Sequence, residues 1–213
     1  MYCIIVNPNA GKGKGRKNLK TALKLFSERG AEYSVFETTR AGEAKEFSER
    51  LTASGEKEII VVGGDGTLHE VVNGLFIQQE VCPDEVLLAV IAVGTGNDWV
   101  RTFGISNRYQ DAVKAIGEGY SFLQDVGVVS YEESHYRQSR YMANVAGAGF
   151  DARMVRKLSH LKKKGRKSRW RSTWCLVKNF FRYKSTGVKV WVDDRLAVSY
   201  THLRAHETKA NLV

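Results

Sequence analysis

The sequence predicts an α/β fold in which a doubly wound, mostly parallel sheet comes first and an incomplete β-rich domain follows. Before Phe122, short apolar runs alternate with segments of helical spacing, which is typical of parallel βαβ units. Glycines and polar residues follow several of these runs, at the strand ends where open α/β sheets bind ligands. After Phe122 the pattern shifts towards alternation, which is typical of half-buried strands.

A chain of 213 residues with 43% apolar content is long enough for one large domain, or for one domain and part of another. Its cysteines, Cys3, Cys82 and Cys175, lack metal-ligand spacing and are predicted to be core residues in a reducing compartment. The chain opens on a strand pattern rather than a charged leader, and its longest apolar run, Val86–Val93, has eight residues. We therefore expect a cytoplasmic protein that is not integral to a membrane.

The central prediction is a strand, a glycine turn and a helix N-terminus between Glu58 and Phe76. The strand is a run of β-branched residues, Ile59–Val62, and the turn has the sequence GGDG. From Thr67 the apolar residues lie on one helical face, and we expect Thr67 to cap this helix with Glu70 as its capping-box partner. The apolar residues of that face are Leu68, Val71, Val72 and Leu75.

The physical chemistry of this junction favours an anion. The first turn of a helix carries unpaired N–H groups and the positive end of the helix dipole, and glycines let the backbone approach a phosphate closely. Asp65 would repel a phosphate unless a divalent cation or a sugar hydroxyl lies beside it, so a carboxylate here indicates a metal–nucleotide ligand. The alternative is a tight strand-to-helix turn in which Asp65 is a capping residue.

Two further glycine motifs follow predicted strands. NPNAG at Asn7–Gly11 comes after Tyr2–Val6, and GTGND at Gly94–Asp98 comes after Glu85–Val93. Together with GGDGT, and in this order, they resemble the catalytic domain of the diacylglycerol kinase superfamily. The chain is similar to its bacterial soluble lipid kinases over roughly residues 1 to 198. GGDGT alone is shared with NAD kinases.

The resemblance implies ATP-dependent transfer of the γ-phosphate to a lipid hydroxyl, such as that of diacylglycerol, with Mg²⁺ as cofactor. Asp65 is then the expected catalytic residue and metal ligand. The expected nucleotide-binding residues are Asn7, Pro8, Gly11, Thr38, Gly63, Gly64, Asp65, Gly66, Thr67, Thr95, Asn97 and Asp98. The family's proposed general base is a late acidic residue, which we do not expect this chain to supply. The alternatives are an NAD kinase-like phosphotransferase and a non-catalytic regulatory protein that binds nucleotide or membrane.

The stretch after the first strand is predicted to be a polar, basic glycine loop. Neither the P-loop nor the dinucleotide fingerprint fits, because Arg16 stands where each needs glycine. Lys12 and Lys14 either meet phosphates or are simply solvated. The other expected helices and strands of this domain are Leu19–Arg29, Glu32–Phe36, Ala41–Ser54 and Tyr109–Gly117.

Several residues near the motifs have competing interpretations. Trp99, Val100 and Phe103 give the helix after GTGND an apolar face, and core packing is favoured over base stacking. His69 is interpreted as a helix-surface histidine rather than a catalytic base. The family usually has asparagine at the position of His69 and proline at that of Ala92, and neither change removes a phosphate-binding group.

We predict a domain boundary near residue 124, with a nucleotide-binding catalytic domain at 1–124 and a partial β-rich domain at 125–213. Two strands are expected at Phe122–Val129 and Tyr136–Val145. A further strand pair is expected between Gly187 and Val198, preceded by a glycine-rich stretch, NVAGAGFDA, that resembles the family. Residues 199–213 lack strand alternation, so we expect a C-terminally truncated chain whose tail is not native.

The net charge of +10 comes from one segment. Arg153–Lys184 contains thirteen Lys or Arg residues and no Asp or Glu, which leaves 10 − 13 = −3 for the rest of the chain. This basic insert, about 153–184, is predicted to be helical and interleaved with aromatic residues. Three interpretations of this insert compete. It binds an anionic membrane surface as an amphipathic helix, it contacts nucleic acid, or it covers a domain while its lysines are solvated.

A lipid acceptor favours the membrane interpretation, and no recognition motif supports nucleic acid. The expected partners are therefore ATP and a lipid alcohol at a membrane surface, without nucleic acid. A homodimer is compatible with these expectations. The expected location is cytoplasmic, with peripheral membrane association through the basic insert.

Overall fold

The computed structural model describes residues 1–93, 96–147, 149, 152–153, 156, 188–192 and 195–200. The chain divides into two compact units, Met1–Val145 and Ala146–Val213. The predicted α/β class is confirmed, because a parallel four-stranded sheet flanked by helices is followed by antiparallel strand pairs. The domain boundary near residue 124, which concerns the end of the catalytic domain, remains a prediction.

The first unit contains six strands and five helices in its described residues. In chain order they are β1 (Tyr2–Val6), α1 (Ala10–Glu28), β2 (Tyr33–Glu37), α2 (Glu43–Ala53), β3 (Glu58–Gly63), α3 (Asp65–Ile77), β4 (Leu87–Ala92), α4 (Asp98–Thr102), α5 (Tyr109–Glu118), β5 (Gly127–Glu133) and β6 (Tyr136–Met142). One 3₁₀ turn, Pro83–Glu85, precedes β4.

The parallel sheet has the strand order β2-β1-β3-β4. The chain moves from β1 to β2 in one direction and then returns past β1 to β3, so the order reverses between β1 and β3. Ligands of doubly wound sheets bind at the carboxyl ends of the strands where the order reverses. The fold therefore predicts a site beyond Val6 and Gly63.

Alternate residues of the central strands supply two separate cores. Cys3 and Ile5 of β1 face a cluster that includes residues of α2, α3 and α4. Ile4 and Val6 face the opposite cluster, which includes residues of α1 and α5. All four residues are fully buried or nearly so, which explains why the strand is apolar throughout rather than alternating.

Helix α3 is fixed against α2 by a close backbone approach. A Cβ atom on Gly74 would lie 2.2 Å from the carbonyl oxygen of Lys45, so only glycine fits this position. The hydroxyl of Ser48 donates to the carbonyl of Val71 at 2.8 Å, which satisfies a buried polar group in the same contact.

Two predictions about where helices begin are wrong. The expected glycine loop after β1 is helical, because α1 begins at Ala10, whose N–H donates to the carbonyl of Asn7 at 3.1 Å. Packing of the apolar face of α1 on the sheet outweighs the ~1 kcal/mol that each glycine costs a helix. Helix α3 also begins earlier than predicted, at Asp65, so Thr67 lies inside its first turn and is not the cap.

Strands β5 and β6 form an antiparallel hairpin, with β5 beginning at Gly127 rather than at the predicted Phe122. The residues of its turn, Ser134 and His135, have φ values of 51° and 69°, as a type I′ turn requires. The side chain of Asn73 holds β6 against α3: its Nδ2 donates to the carbonyl of Tyr141 at 2.9 Å, and its Oδ1 accepts from the Tyr141 N–H at 3.0 Å.

The second unit contains the antiparallel pair β7 (Val188–Val192) and β8 (Arg195–Tyr200), as predicted. Strand β8 includes Ser199 and Tyr200, the first two residues of the expected non-native tail. The rest of that tail and nearly all of the basic insert lie outside the described residues. No helix in the described part of the chain is long and apolar enough to cross a membrane.

Candidate active site

The first and second glycine motifs meet at the carboxyl ends of β1 and β3. The backbone N–H of Asn7 donates to the carbonyl of Val62 at 3.0 Å, which extends the sheet by one residue. The side-chain Nδ2 of Asn7 donates to Thr67 Oγ1 at 3.3 Å, across the point where the strand order reverses. Pro8 lies in the turn that leads from Asn7 into α1.

The first motif also touches the strand that leads into the third. Gly11 has φ +58°, and a Cβ atom there would lie 2.0 Å from the carbonyl oxygen of Val93, the residue after β4. A side chain is therefore excluded by both backbone conformation and space. Gly11 brings the start of α1 against the end of β4.

The second and third motifs meet through Asp65. Its Oδ1 accepts from the backbone N–H of Trp99 at 3.1 Å, in the first turn of α4. A Cβ atom on Gly96 would lie 3.3 Å from Asp65 Oδ2 and 3.6 Å from Asp98 Oδ2. Two carboxylates therefore approach the same glycine. A small recess beside Asp65 is lined by Gly63, Gly64 and residues of α3, α4 and β4.

The turn between β3 and α3 is packed tightly on one side and open on the other. A Cβ atom on Gly63 would lie 2.6 Å from Thr67 Oγ1, whereas one on Gly66 would meet nothing within 4 Å. The N–H of Thr67 is engaged, since it donates to the carbonyl of Gly64 at 2.9 Å. The earlier amides of the turn are among the helix N-terminal donors that have no partner within the helix.

Thr38 follows β2 at the same edge of the sheet. Its N–H donates to the carbonyl of Val6 at 2.8 Å, and the residue is buried. Glu43 braces the loop that follows: one carboxylate oxygen accepts from the N–H of Thr39 at 2.5 Å, from its hydroxyl at 3.0 Å and from the N–H of Arg40 at 3.2 Å. These hydrogen bonds, the one from the Thr39 backbone above all, hold the pKa of Glu43 below its ordinary value.

The third motif is described only in part, because Thr95 lies outside the described residues. Asn97 is buried in the left-handed conformation, φ 56° and ψ 46°, and its Nδ2 donates to Asn107 Oδ1 at 3.1 Å. Asp98 begins α4, is exposed, and has its Oδ1 3.6 Å from a guanidinium nitrogen of Arg101.

The donor set of the site fits Mg²⁺. Asp65 and Asp98 provide hard carboxylate oxygens, and Mg²⁺ is usually held by one or two carboxylates together with waters and substrate phosphates. The residues that the structure describes contain no group of three or more His, Cys, Asp or Glu suited to a metal, so no all-protein cage is present among them.

His69 lies one helical turn beyond Asp65 but faces the hairpin. Its Nδ1 is 3.4 Å from Nδ2 of Asn73, and the side chain is exposed. Partial burial and the positive charge of Arg140 lower its pKa below the ordinary value, while Glu70 acts in the opposite direction. The position agrees with the interpretation of His69 as a helix-surface residue.

Two contributions to this region were not predicted as functional. The backbone N–H of Trp99 is the partner of Asp65, and Gln124 bonds the Trp99 indole to the end of β6. The burial of Trp99 agrees with the predicted core role. Neither partnership has a signal in the sequence, because neither is tied to a period or a motif.

Sequence and structure comparisons with known proteins agree with the resemblance that the three glycine motifs indicated. A family model described as the diacylglycerol kinase catalytic domain matches residues 1–129. Diacylglycerol kinases of Staphylococcus aureus strains bovine RF122 / ET3-1 and MRSA252 are each 36% identical over 146 residues, 68% of this chain and 42% of theirs. The crystal structure of a diacylglycerol kinase from Bacillus anthracis strain Sterne matches with TM-score 0.53 and 32% identity, over 61% of this chain and 47% of that one. The chain thus spans less than half the length of these relatives.

Proposed function

Because the chain belongs to the diacylglycerol kinase catalytic-domain family, we propose that it is an ATP-dependent lipid kinase that transfers the γ-phosphate to a lipid hydroxyl, such as that of diacylglycerol. The observation that carries the proposal is the meeting of three glycine motifs at one edge of the sheet. Asn7 is bonded to Thr67, Asp65 is bonded to the amide of Trp99, and Gly11 lies against Val93. Phosphates bind at such helix N-termini and strand ends.

The proposal assigns a role in nucleotide binding to each predicted residue. The turn Gly63–Thr67 holds phosphates through backbone N–H groups other than that of Thr67, which donates to the carbonyl of Gly64, and the dipole of α3 adds a favourable potential. The remaining predicted residues complete the nucleotide pocket; they are Asn7, Pro8, Gly11, Thr38, Thr95, Asn97 and Asp98.

Asp65 and Asp98 are the residues that would hold Mg²⁺, Asp65 through Oδ2 because its Oδ1 accepts from Trp99. Mg²⁺ supplies neutralisation of the charge on the phosphate oxygens, which phosphoryl transfer requires. The chain's own contribution is positioning: fixed amides and carboxylates keep the phosphates in one orientation while the lipid hydroxyl approaches.

The basic insert, Arg153–Lys184, is proposed as the peripheral contact with an anionic membrane, where the lipid acceptor resides. An NAD kinase-like activity is not favoured, since the family model and the named relatives are diacylglycerol kinases. A non-catalytic nucleotide-binding or membrane-binding protein is distinguished from a kinase by turnover.

The test is Mg²⁺-dependent transfer of labelled γ-phosphate from ATP into vesicles that contain diacylglycerol, with Asp65→Asn as the matched variant. We expect slow labelling of the lipid by the native chain, since the chain is not expected to supply the family's general base, and a loss of at least ~100-fold for the variant, because phosphoryl transfer depends on charge neutralisation. Binding of Mg²⁺–ATP without any transfer would overturn the kinase proposal for this chain and support the regulatory alternative.

A further inference from the structure

Gln124 joins two parts of the first unit that are far apart in sequence. Its Oε1 accepts from the indole Nε1–H of Trp99 at 2.9 Å, and its Nε2 donates to the carbonyl of Ala143 at 2.6 Å. The indole nitrogen is only a donor and the carbonyl is only an acceptor, so the two partners fix which end of the amide faces which. The half-buried side chain therefore has one orientation that satisfies both neighbours.

Trp99 carries this connection to the site. Its indole is buried, 7% exposed, and its ring packs on Phe103 with centroids 5.0 Å apart. The backbone N–H of the same residue is the donor to Asp65 Oδ1 at 3.1 Å. A large, rigid side chain held at its indole N–H therefore sets the position of the amide that holds Asp65.

We propose that Gln124 is a positioning residue for Asp65, acting through the Trp99 indole to hold the start of α4, and with it the Asp65 carboxylate, in register with the end of β6. The functional consequence rests on the role proposed for Asp65 above. Gln124 itself touches neither nucleotide nor lipid in this proposal.

The physical reason is the weakness of α4 on its own. It has five residues, too few for an isolated helix to be stable, so its position depends on the contacts of its side chains. Without Gln124 the buried indole N–H and the Ala143 carbonyl lose their partners, and the indole gains by turning towards water. Such a rotation would move the Trp99 amide away from Asp65, and small displacements at a site of phosphoryl transfer are costly.

The test compares Gln124→Leu, which keeps the size and removes both hydrogen bonds, with Gln78→Leu. Gln78 is a matched control: its side chain also bridges backbone groups, with bonds to Leu75, Glu80 and Val81. It follows the last residue of α3, about 20 Å along the helix from Asp65 at ~1.5 Å per residue. Trp99→Phe is a second route, because it removes the indole N–H while it keeps a smaller aromatic ring and the backbone amide.

We expect Gln124→Leu and Trp99→Phe each to raise the KM for Mg²⁺–ATP roughly tenfold and to lower kcat as Asp65 moves, with the lipid KM changed less than about twofold. The double variant should be no worse than the more affected single variant, since both remove the same bond. Gln78→Leu should lower thermal stability without changing KM. An unchanged KM in Gln124→Leu, or an equal rise in Gln78→Leu, would overturn the proposal.

A second readout is independent of activity. In amide NMR spectra of the ¹⁵N-labelled chain, the Trp99 backbone resonance should move in Gln124→Leu and stay in place in Gln78→Leu. If the native chain shows no transfer while this resonance moves as expected, the kinase proposal fails and the positioning of Asp65 stands. A resonance that does not move in Gln124→Leu overturns the positioning role whatever the activity.

Discussion

The amide of Asn7 and the hydroxyl of Thr67 are joined by a 3.3 Å hydrogen bond between residues sixty positions apart in the chain. Asn7 directly follows the first strand, and Thr67 lies in the first turn of the helix that follows the third. The bond therefore links the two strand ends at the point where the strand order reverses. Thr67, expected to cap α3, instead ties that helix to the neighbouring strand.

Removal of this hydroxyl should be costly even though the volume is kept. Thr67→Val leaves the Asn7 Nδ2 without its partner at a part-buried position, and we expect the free energy of unfolding to fall by about 1 kcal/mol. The measurement is urea unfolding, with and without Mg²⁺–ATP. Thr102→Val is the control, because Thr102 is exposed and its hydroxyl bonds only within α4. Equal losses in the two variants would contradict the role of the Asn7–Thr67 bond.

Gly63 should not tolerate alanine. The added Cβ would lie 2.6 Å from Thr67 Oγ1 and 2.7 Å from Thr67 Cβ, in a β-branched side chain that has little freedom inside a helix. We expect Gly63→Ala to lower the free energy of unfolding by about 1–3 kcal/mol. Gly66→Ala, three residues later, meets nothing within 4 Å and should keep or slightly raise stability. The measurement is thermal unfolding of both variants. A Gly66→Ala variant less stable than Gly63→Ala would show that the turn is not packed as described.

His69 predicts a pH dependence of stability with a definite sign. Its pKa in the folded chain lies below the ordinary value of 6.5, because partial burial of the ring and the positive charge of Arg140 disfavour the charged form. Between the folded-state pKa and 6.5 the unfolded chain binds more protons, so the free energy of unfolding rises with pH across that window and is lowered below it.

His69→Asn should flatten this slope in urea unfolding between about pH 5 and 7. In the native chain, an NMR titration of the His69 ring should give a pKa below 6.5, and Arg140→Gln should raise it. A ring that titrates above 6.5 would contradict the assigned environment.

Cys3 and Cys82 should differ sharply in reactivity. Burial raises the pKa of the Cys3 thiol to about 11 in the centre of the sheet, whereas Cys82 is exposed, so the prediction that it is a core residue is wrong. The hydrogen bond to Asp84 also raises the pKa of the Cys82 thiol, so its alkylation should be slow but measurable. Peptide mass spectrometry after iodoacetamide treatment near neutral pH should find Cys82 modified and Cys3 intact. Labelling in denaturant is the control and should reach both; modification of native Cys3 would mean that β1 opens.

Much of the first unit was predictable because local patterns determine it. The strand Tyr2–Val6 was predicted with the bounds that the structure has, and β2, β3 and β4 lie within two residues of their predicted positions. Strands β1 and β3 are apolar runs buried on both faces, which is the strongest local signal a strand can give, whereas β2 at the edge of the sheet is only partly buried. The three glycine motifs were recognised because their order and spacing are distinctive.

The parts that could not be predicted depend on tertiary partners. The sequence TLHE has the form of a capping box, yet α3 begins two residues before Thr67, since Asp65 is already helical after the extended Gly64. The bond from Trp99 to Asp65 spans thirty-four residues, and no periodicity encodes such a pair. The start of α1 was missed because Gly13 and Gly15 have weak local helix preference, whereas packing on the sheet decides the outcome.

The clamp of Asn73 on Tyr141 limits how the protein can be divided. The family match stops at residue 129, which lies inside β5. A chain cut at that point, or near residue 124, would keep all four parallel strands and all three motifs. The buried Asn73 side chain would also lose both of its hydrogen bonds to Tyr141, sixty-eight residues away. The Trp99 indole would no longer have a partner held in place, because Gln124 would be missing or unattached to β6. The smallest piece whose buried polar groups are satisfied on this side therefore extends through Ala143, beyond either limit drawn from sequence.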